Sequence, residues 1–147
     1  MSFTIRLITQ ADDLGAICAQ MQPKLWGSDN EMTSYQPTLL KKFLAAGHLL
    51  LVAYNNKTIA GAAIAHELLH PAGEHSLYIH ELDTHPDYRR MGVASELMAE
   101  LNKLAKDRGL TEVLLGTETE NPAANAFYNS LDPYEIEPSE IYAYKVK

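Results

Sequence analysis

The sequence predicts one α/β domain of the mixed α+β kind, in which helices flank a central mixed β-sheet on both faces. Strand-like and helix-like apolar patterns alternate along the chain, and a turn at Asn55-Asn56 joins two apolar runs into a hairpin. This hairpin-rich front half leads into a strand-helix-strand unit, which adds parallel pairing. The 147 residues suffice for one core and contain no linker, so the domain is expected to cover residues 1–147.

The front half predicts a strand, two helices and the hairpin. Residues 3–8 alternate apolar and polar side chains as a strand does, and Thr9 or Asp12 is suited to cap the helix that follows. That helix has an apolar face from Leu14 to Met21. The other predicted segments are a loop over residues 23–30, a helix over 36–46 that ends at Gly47, an apolar strand over 48–54 and its return strand over 58–66.

The back half predicts further strands and two helices. A turn at residues 71–74 precedes a strand over 76–84. The helix over 92–108 has an apolar stripe, acidic residues early and basic residues late, as the helix dipole favours, and Gly109 ends it. The remaining segments are a strand over 112–117, a short helix over 122–131 and a final alternating strand over 141–146, with a further short strand over 134–136 left open.

Composition excludes several classes of function. A net charge of −7 argues against nonspecific binding to nucleic acid. The chain has no long apolar run and no signal-like start, so a cytoplasmic protein without a membrane partner is expected. Cys18 is the single cysteine, which excludes a disulfide within the chain, and its place on the inner face of the first helix indicates a packing role.

The start of the helix predicted at residue 92 has the features of an anion site. The first backbone N–H groups of a helix lack intrahelical acceptors and lie at the positive end of its dipole. Gly92 lets a ligand approach the backbone, and Ala94 and Ser95 keep the first turn slim. Arg89 and Arg90 add charged donors. A pyrophosphate suits this pattern, and an ordinary helix start with surface arginines is the alternative. The absence of G-x-G-x-x-G and of G-K-[ST] argues against a Rossmann domain and a P-loop.

The pentapeptide His66-Glu67-Leu68-Leu69-His70 matches the zinc-protease motif H-E-x-x-H. That motif requires a helix, where histidines four residues apart share one face and bind one zinc ion. Here the pentapeptide ends a predicted strand and runs into a turn at Pro71, and residues four apart in a strand are too far separated for one ion. No metal is therefore expected.

Two separated motifs carry a family resemblance. The first is Arg89-Arg90-Met91-Gly92-Val93-Ala94, and the second is formed by Asn121, Ala124 and Tyr128, with Asn125 as a polar neighbour. They resemble the signatures Q/R-x-x-G-x-G/A and N-x-x-A-x-x-x-Y of the GNAT superfamily of N-acetyltransferases, and one helix and one strand separate them as in that family. The resemblance implies the GNAT acyl-CoA N-acyltransferase fold, with acetyl-CoA as the co-substrate.

Further segments narrow the resemblance. They are Tyr35-Gln36-Pro37, Tyr78-Ile79-His80-Glu81-Leu82, the acidic Glu118 and Glu120 before Asn121, and the acidic tail of Glu135, Glu137 and Glu140. With these the chain is most similar to the aminoglycoside 3-N-acetyltransferases, nearly end to end. It departs from them in having Glu81 where they have Asp, and in having Leu131-Asp132-Pro133 in place of a leucine-glycine-aromatic ending. These departures bear on the position of the carboxylate and on the shape of the acceptor pocket.

The resemblance implies direct attack of an amine on the thioester, with the protein positioning reactants and handling protons. Glu81 is the expected base and Tyr128 the expected donor to the departing thiolate; the alternatives are a structural carboxylate and a core aromatic residue. The expected cofactor-binding residues are Leu82, Asp83, Thr84, Arg89, Arg90, Met91, Gly92, Val93, Ala94, Ser95, Asn121 and Asn125. The expected substrate-binding residues are Tyr35, Glu118, Glu120, Glu135 and Glu137. For Glu118 and Glu120, sharing the base role or forming a solvated face are alternatives.

These inferences give a functional hypothesis. The protein acetylates the 3-amino group of an aminoglycoside, a polycation that an acidic protein attracts, and so confers antibiotic resistance. The resemblance also implies a homodimer. The same acidity suits a polyamine, an amino acid or a protein amine as acceptor, and a CoA-binding sensor without turnover is the alternative from another class.

Overall fold

The computed structural model describes residues 2–23, 26 and 34–147. These residues form two compact units, Met1–Leu115 and Gly116–Lys147, and each is described by itself. In the first unit the elements are β1 (Thr4–Leu7), α1 (Leu14–Gln20), α2 (Pro37–Ala45), β2 (Leu49–Asn55), β3 (Thr58–Leu69), β4 (His75–Thr84), a 3-10 turn (Pro86–Tyr88), α3 (Val93–Asp107) and β5 (Glu112–Leu115). The second unit contains α4 (Pro122–Asn129).

The strands form one five-stranded sheet in the order β1-β2-β3-β4-β5. The first three pairings are antiparallel, and β4 pairs with β5 in parallel, so the sheet is mixed as predicted. The predicted hairpin turn joins β2 to β3, with Asn56 in the left-handed conformation at φ 57°. Asparagine tolerates that conformation better than other residues that carry a Cβ.

The helices α1 and α2 pack on one face of the sheet. Ile17, Cys18 and Leu40 form a buried cluster with Leu50 and Val52 of β2. Cys18 is a free, buried cysteine, in agreement with its predicted packing role. We call this side of the sheet the acceptor face. The other members of its cluster are Ile8, Leu14, Met21, Trp26, Ile59 and Ala62.

The helix α3 packs on the opposite face. Successive residues of a strand point to opposite faces, so Leu49 and Leu51, which are buried, point away from the face of Leu50 and Val52. Gly61 of β3 marks the contact with α3, since a Cβ added there would lie 2.4 Å from Cγ1 of Val93 and 3.2 Å from Cδ1 of Leu97. The lack of a side chain at this position lets the start of α3 approach the sheet. The prediction of helices on both faces is thereby confirmed.

The predicted final strand is wrong. Residues 130–147 form no helix or strand, and this includes the segment 141–146 and the optional strand over 134–136. Ile141 is 91% exposed and Val146 is 100% exposed. The alternating pattern indicates which face a strand would bury, but a strand also needs a partner, and this segment pairs with none of the five strands of the described sheet.

Other predicted boundaries differ only at their ends. Within the loop predicted over 23–30, residues 24, 25 and 27–30 lie outside the described part of the chain, whereas Trp26 is buried and its indole N–H donates to the carbonyl of Gln20 at 2.7 Å. A search of the described residues finds no helix with the length and apolar character needed to span a bilayer.

Candidate active site

The start of α3 is an uncapped helix terminus. Gly92 precedes the helix with φ 86°, Arg90 also has a positive φ of 61°, and no side chain caps the helix. The first hydrogen bond within the helix runs from the N–H of Glu96 to the carbonyl of Gly92 at 3.0 Å. The N–H groups of the three preceding residues, 93–95, therefore have no acceptor within the helix.

This terminus fits a phosphate group. Nothing lies within 4 Å of the position that a Cβ on Gly92 would occupy, so the space in front of the backbone is open. The exposed side chains of Arg89 and Arg90 add positive charge beside it. Helix N-termini with free N–H groups bind anions, and these residues therefore suit the pyrophosphate of a CoA molecule.

A bulge in β4 determines where its carboxylates point. Ile79 pairs with Ala65 and Glu81 pairs with Ile64, so β4 has one more residue, His80, than β3 has across from it. Ile64 packs against the cluster on the acceptor face. Directly paired residues share a face, and Glu81 therefore lies on the acceptor face.

Glu81 is hydrogen-bonded to Tyr35. The hydroxyl of Tyr35 donates to Oε2 of Glu81 at 3.2 Å. Burial, the charge of Glu81 and this hydrogen bond together raise the pKa of Tyr35, so its hydroxyl stays protonated and remains a donor. The structure thus brings together two residues that the sequence assigned to different roles, the base and the substrate site.

Asp83 is a second carboxylate on the same face. It pairs with Ala62, a member of the buried cluster, and it follows Glu81 by two residues, the repeat of a strand. Burial raises the pKa of Asp83, the charge of Glu81 raises it further, and Arg89 opposes the shift. From the sequence, Asp83 was predicted only to bind the cofactor. Its spacing of two from Glu81 in a predicted strand is the signal that places both side chains on one face.

The far end of β4 has an open edge. β5 pairs with β4 only from Ser76 to Ile79, because β5 ends at Leu115. From His80 to Thr84 the described sheet gives β4 a partner on the β3 side alone. Exposed backbone of this kind accepts an extended amide-bearing chain, as in strand addition, and it suits the pantetheine arm of CoA. Leu82 and Thr84, which were predicted to contact the cofactor, lie in this segment.

In the second unit, the start of α4 organises the predicted asparagines. Oδ1 of Asn121 accepts from the N–H of Ala124 at 3.1 Å, which caps the helix. Nδ2 of Asn125 donates to the carbonyls of Glu118 at 2.9 Å and Asn121 at 2.8 Å. These side chains stabilise the loop before α4, and this structural role was absent from the sequence analysis. Ncap asparagines are typical of such a position.

The remaining predicted residues of this unit differ in exposure. Tyr128 is half-buried on α4, and its ring meets that of Phe127 edge-on with centroids 5.2 Å apart. The acidic side chains predicted to bind substrate are exposed: Glu118, Glu120, Glu135 and Glu137. Their solvation agrees with either a substrate-attracting or a plain surface role.

The motif H-E-x-x-H lies in a strand, as predicted. β3 includes His66 and Glu67 and ends at Leu69, before His70. Glu67 forms an ion pair with Arg108 at 2.6 Å. Among the residues that the structure describes, no group of three or more candidate ligands is placed to hold a metal ion. The pentapeptide therefore has neither the helix nor the ligand geometry of a zinc protease.

The raised pKa of Asp83 gives a stability prediction. When an acidic group has a higher pKa in the folded than in the unfolded protein, the folded protein loses stability as the pH rises through the folded pKa, because burial disfavours the ionised form. Asp83→Asn is therefore expected to be more stable to urea than the wild type at neutral pH. The advantage should vanish below the unfolded-chain pKa of about 3.9. The exposed Asp87→Asn variant is the matched control and should show no comparable gain. Equal stability of Asp83→Asn and wild type across this pH range would contradict the assignment.

Comparison with known proteins identifies the family of this chain. Residues 16–132 match the model of the Acetyltransferase (GNAT) family. N-alpha-acetyltransferase 30 of Schizosaccharomyces pombe is 35% identical over 80 residues, which cover 54% of this chain and 53% of that relative. The chain thus spans about half the length of that protein. N-alpha-acetyltransferase 50 of Danio rerio is 29% identical over 115 residues, covering 78% of this chain and 68% of that relative.

Solved structures share the fold over almost the whole chain. An aminoglycoside acetyltransferase from an uncultured soil metagenomic sample, in complex with sisomicin, superposes with a TM-score of 0.86 at 19% identity, covering 99% of this chain and 97% of that chain. AAC(6')-Iy in complex with a bisubstrate analog of CoA and acetylneamine gives a TM-score of 0.76 at 19% identity, covering 99% of this chain and 100% of that chain. The family match spans most of the sequence and confirms the resemblance found there: the chain belongs to the acetyltransferase (GNAT) family.

Proposed function

We propose that the protein transfers the acetyl group of acetyl-CoA to the 3-amino group of an aminoglycoside, by direct attack of the amine on the thioester. The observation that carries this proposal is the position of Glu81, which lies on the acceptor face beside the open edge of β4 and accepts a hydrogen bond from Tyr35. A carboxylate there serves a reaction in which a bound ammonium group must lose a proton next to an extended cofactor arm. Resistance to the antibiotic would follow from this activity.

The cofactor residues have a consistent arrangement in the first unit. The free N–H groups at the start of α3, with Arg89 and Arg90, bind the pyrophosphate, and the backbone from Leu82 to Thr84 pairs with the pantetheine arm. When bound, acetyl-CoA supplies the activated acyl group. The chain itself positions the two reactants, and holding them in line supplies much of the rate enhancement. Asn121 and Asn125 bind the arm from the loop that they order.

Proton transfer needs an acceptor and a donor. Glu81 takes the proton of the attacking amine, directly or through water, and Tyr128 donates to the thiolate of CoA. Asp83, on the same face as Glu81, adds negative charge that attracts a cationic acceptor. Further amines of the substrate contact Tyr35, Glu118, Glu120, Glu135 and Glu137. The aminoglycoside acetyltransferase structure with bound sisomicin, which shares this fold, supports an acceptor of this class.

A second candidate acceptor is a protein N-terminus. Two relatives with sequence similarity are N-alpha-acetyltransferases, which favours the α-amine of a polypeptide. Both hypotheses use the same cofactor residues and differ only on the acceptor face. A protein that binds CoA without turnover is the alternative outside the enzymes.

The acceptor is tested by thiol release from acetyl-CoA. We expect release with gentamicin, and none above background with spermidine, with short peptides that carry a free N-terminus or with no acceptor. NMR of the product then locates the acetyl group, which we expect on the 3-amino nitrogen. Release with the peptides alone would replace the acceptor and keep the chemistry. No release with any amine, together with measurable CoA binding, would favour the sensor.

The role of Glu81 is tested by Glu81→Gln. Removal of a general base is expected to lower kcat by about 100-fold to 10,000-fold. Glu67→Gln is the matched control, because Glu67 is also on a central strand and pairs with Arg108 instead of facing the acceptor. Its kcat should match the wild type. If Glu81→Gln retained the wild-type rate at every pH, Glu81 would not be the base.

The phosphate site is tested at Gly92. Gly92→Ala and Gly109→Ala impose the same kind of strain, since both glycines have a positive φ, 86° and 72°. Each should cost about 1–2 kcal/mol of stability. Only Gly92→Ala should also weaken acetyl-CoA binding, by about tenfold, which corresponds to about 1.4 kcal/mol of binding free energy. Isothermal titration calorimetry measures the affinity of each variant for acetyl-CoA, and equal affinities in the two variants would reject the phosphate assignment.

A further inference from the structure

Three histidines form a hydrogen-bonded chain on the acceptor face. Nδ1 of His66, in β3, lies 3.0 Å from Nδ1 of His48, at the start of β2. Nε2 of His66 lies 3.2 Å from Nδ1 of His80, in β4. His66 thus offers a different ring nitrogen to each neighbour, so the three imidazoles lie in series and do not converge on one point.

Aromatic rings support this chain from both ends. The ring of Phe43, in α2, lies 5.2 Å from that of His48 and 5.8 Å from that of His66. The ring of Tyr78 stacks on that of His80 at 6.1 Å. These contacts fix the ring planes, and a fixed His66 can hold His80 in place.

His80 is the extra residue of the bulge in β4. A bulged residue has no partner in the ladder, so other contacts must offset the lost pairing. The contact between His80 and His66 joins the bulge to the neighbouring strand through side chains. Without the bulge, each later residue of β4 would move by one position, and Glu81 and Asp83 would turn to the face where α3 packs.

We propose that the chain of His48, His66 and His80 is a positioning device for Glu81, which holds the bulge in β4 and so keeps this carboxylate on the acceptor face. This inference rests on the proposed role of Glu81 in acetyl transfer. His66 is the central member, and it acts through His80 without contact to the substrate.

The number of protons on the three imidazoles determines whether both hydrogen bonds of the chain can form. Each nitrogen-to-nitrogen contact contains one proton, so three neutral imidazoles satisfy both contacts and have one N–H left over. One extra proton binds to the outer ring nitrogen that is still unprotonated, at one end of the chain. A second extra proton must enter one of the two contacts, and that contact then breaks.

The groups that face His66 are His48, His80, Tyr78 and Phe43, and Glu67 points to the other face, where it pairs with Arg108. Burial and then the two neighbouring imidazoles lower the pKa of His66, which favours the intact chain at neutral pH.

The test uses three substitutions of His66 that differ in which contact they keep. The amide of glutamine reaches as far as Nε2 and can donate to His80, whereas the shorter amide of asparagine reaches only as far as Nδ1, toward His48. Phenylalanine keeps the ring packing and neither hydrogen bond. We expect kcat to fall by about 10-fold to 100-fold in His66→Phe and His66→Asn, with a smaller change in KM, because the base is misplaced. His66→Gln should recover most of the wild-type rate.

A double-mutant cycle with Glu81 separates positioning from general damage. In a Glu81→Gln background, His66→Phe should cause no further loss of kcat, because its effect passes through the missing carboxylate. Additive losses, or a wild-type kcat in His66→Phe, would overturn the inference. If His66→Phe proves too unstable to assay, the comparison of His66→Gln with His66→Asn decides, and equal rates in those two variants would reject the role of the His80 contact. Retention of full activity by Glu81→Gln itself would instead reject the proposed function.

Discussion

The extra residue in β4 governs the acceptor side of this protein, because a strand offers each side chain only two directions. With His80 inserted, Glu81 pairs with Ile64, which packs against the buried cluster, and Asp83 pairs with Ala62 of that cluster. Both carboxylates therefore share a face with Tyr35. The hydroxyl of Tyr35 then reaches Glu81, and burial together with the charge of Glu81 raises the pKa of Asp83. A shift of one residue would replace this polar arrangement with two carboxylates against apolar helix packing, which is costly unless they are paired.

The bulge also coincides with the end of another pairing. β5 leaves β4 after Ile79, one residue before His80, so the open edge and the change of side-chain direction begin together. The start of α3, with its free N–H groups, lies on the other face of the same sheet, where the missing side chain of Gly61 leaves room for it. Opposite charges are thus separated. The carboxylates of β4 lie on the acceptor face, and the arginines and the positive end of the α3 dipole lie beyond the end of that strand. This distribution suits the proposed reaction between an anionic cofactor and a cationic acceptor.

Features with strong local signals were predictable from the sequence. The helix predicted over 92–108 is observed as Val93–Asp107, because its apolar stripe, charge order and terminal glycines all agree. The strand at 141–146 was predicted wrongly, since alternation says nothing about whether a partner strand is available. The bulge, the contact of Tyr35 with Glu81 and the histidine chain depend on the register between strands far apart in sequence. No local pattern determines that register to within one residue, and a single residue decides the face.

The close approach at Gly61 has a consequence for how this protein can change over evolutionary time. The position of α3 is fixed by the packing of its side chains against the backbone of Gly61, with no room for a methyl group, so the helix start proposed to bind CoA is tied to the core. On the acceptor face, Tyr35 is hydrogen-bonded to Glu81 and lies away from that packing. Substitutions at the proposed acceptor site can therefore be made without disturbing the contact of α3 with the sheet. The two faces of one sheet thus separate the packing of that helix from the proposed specificity.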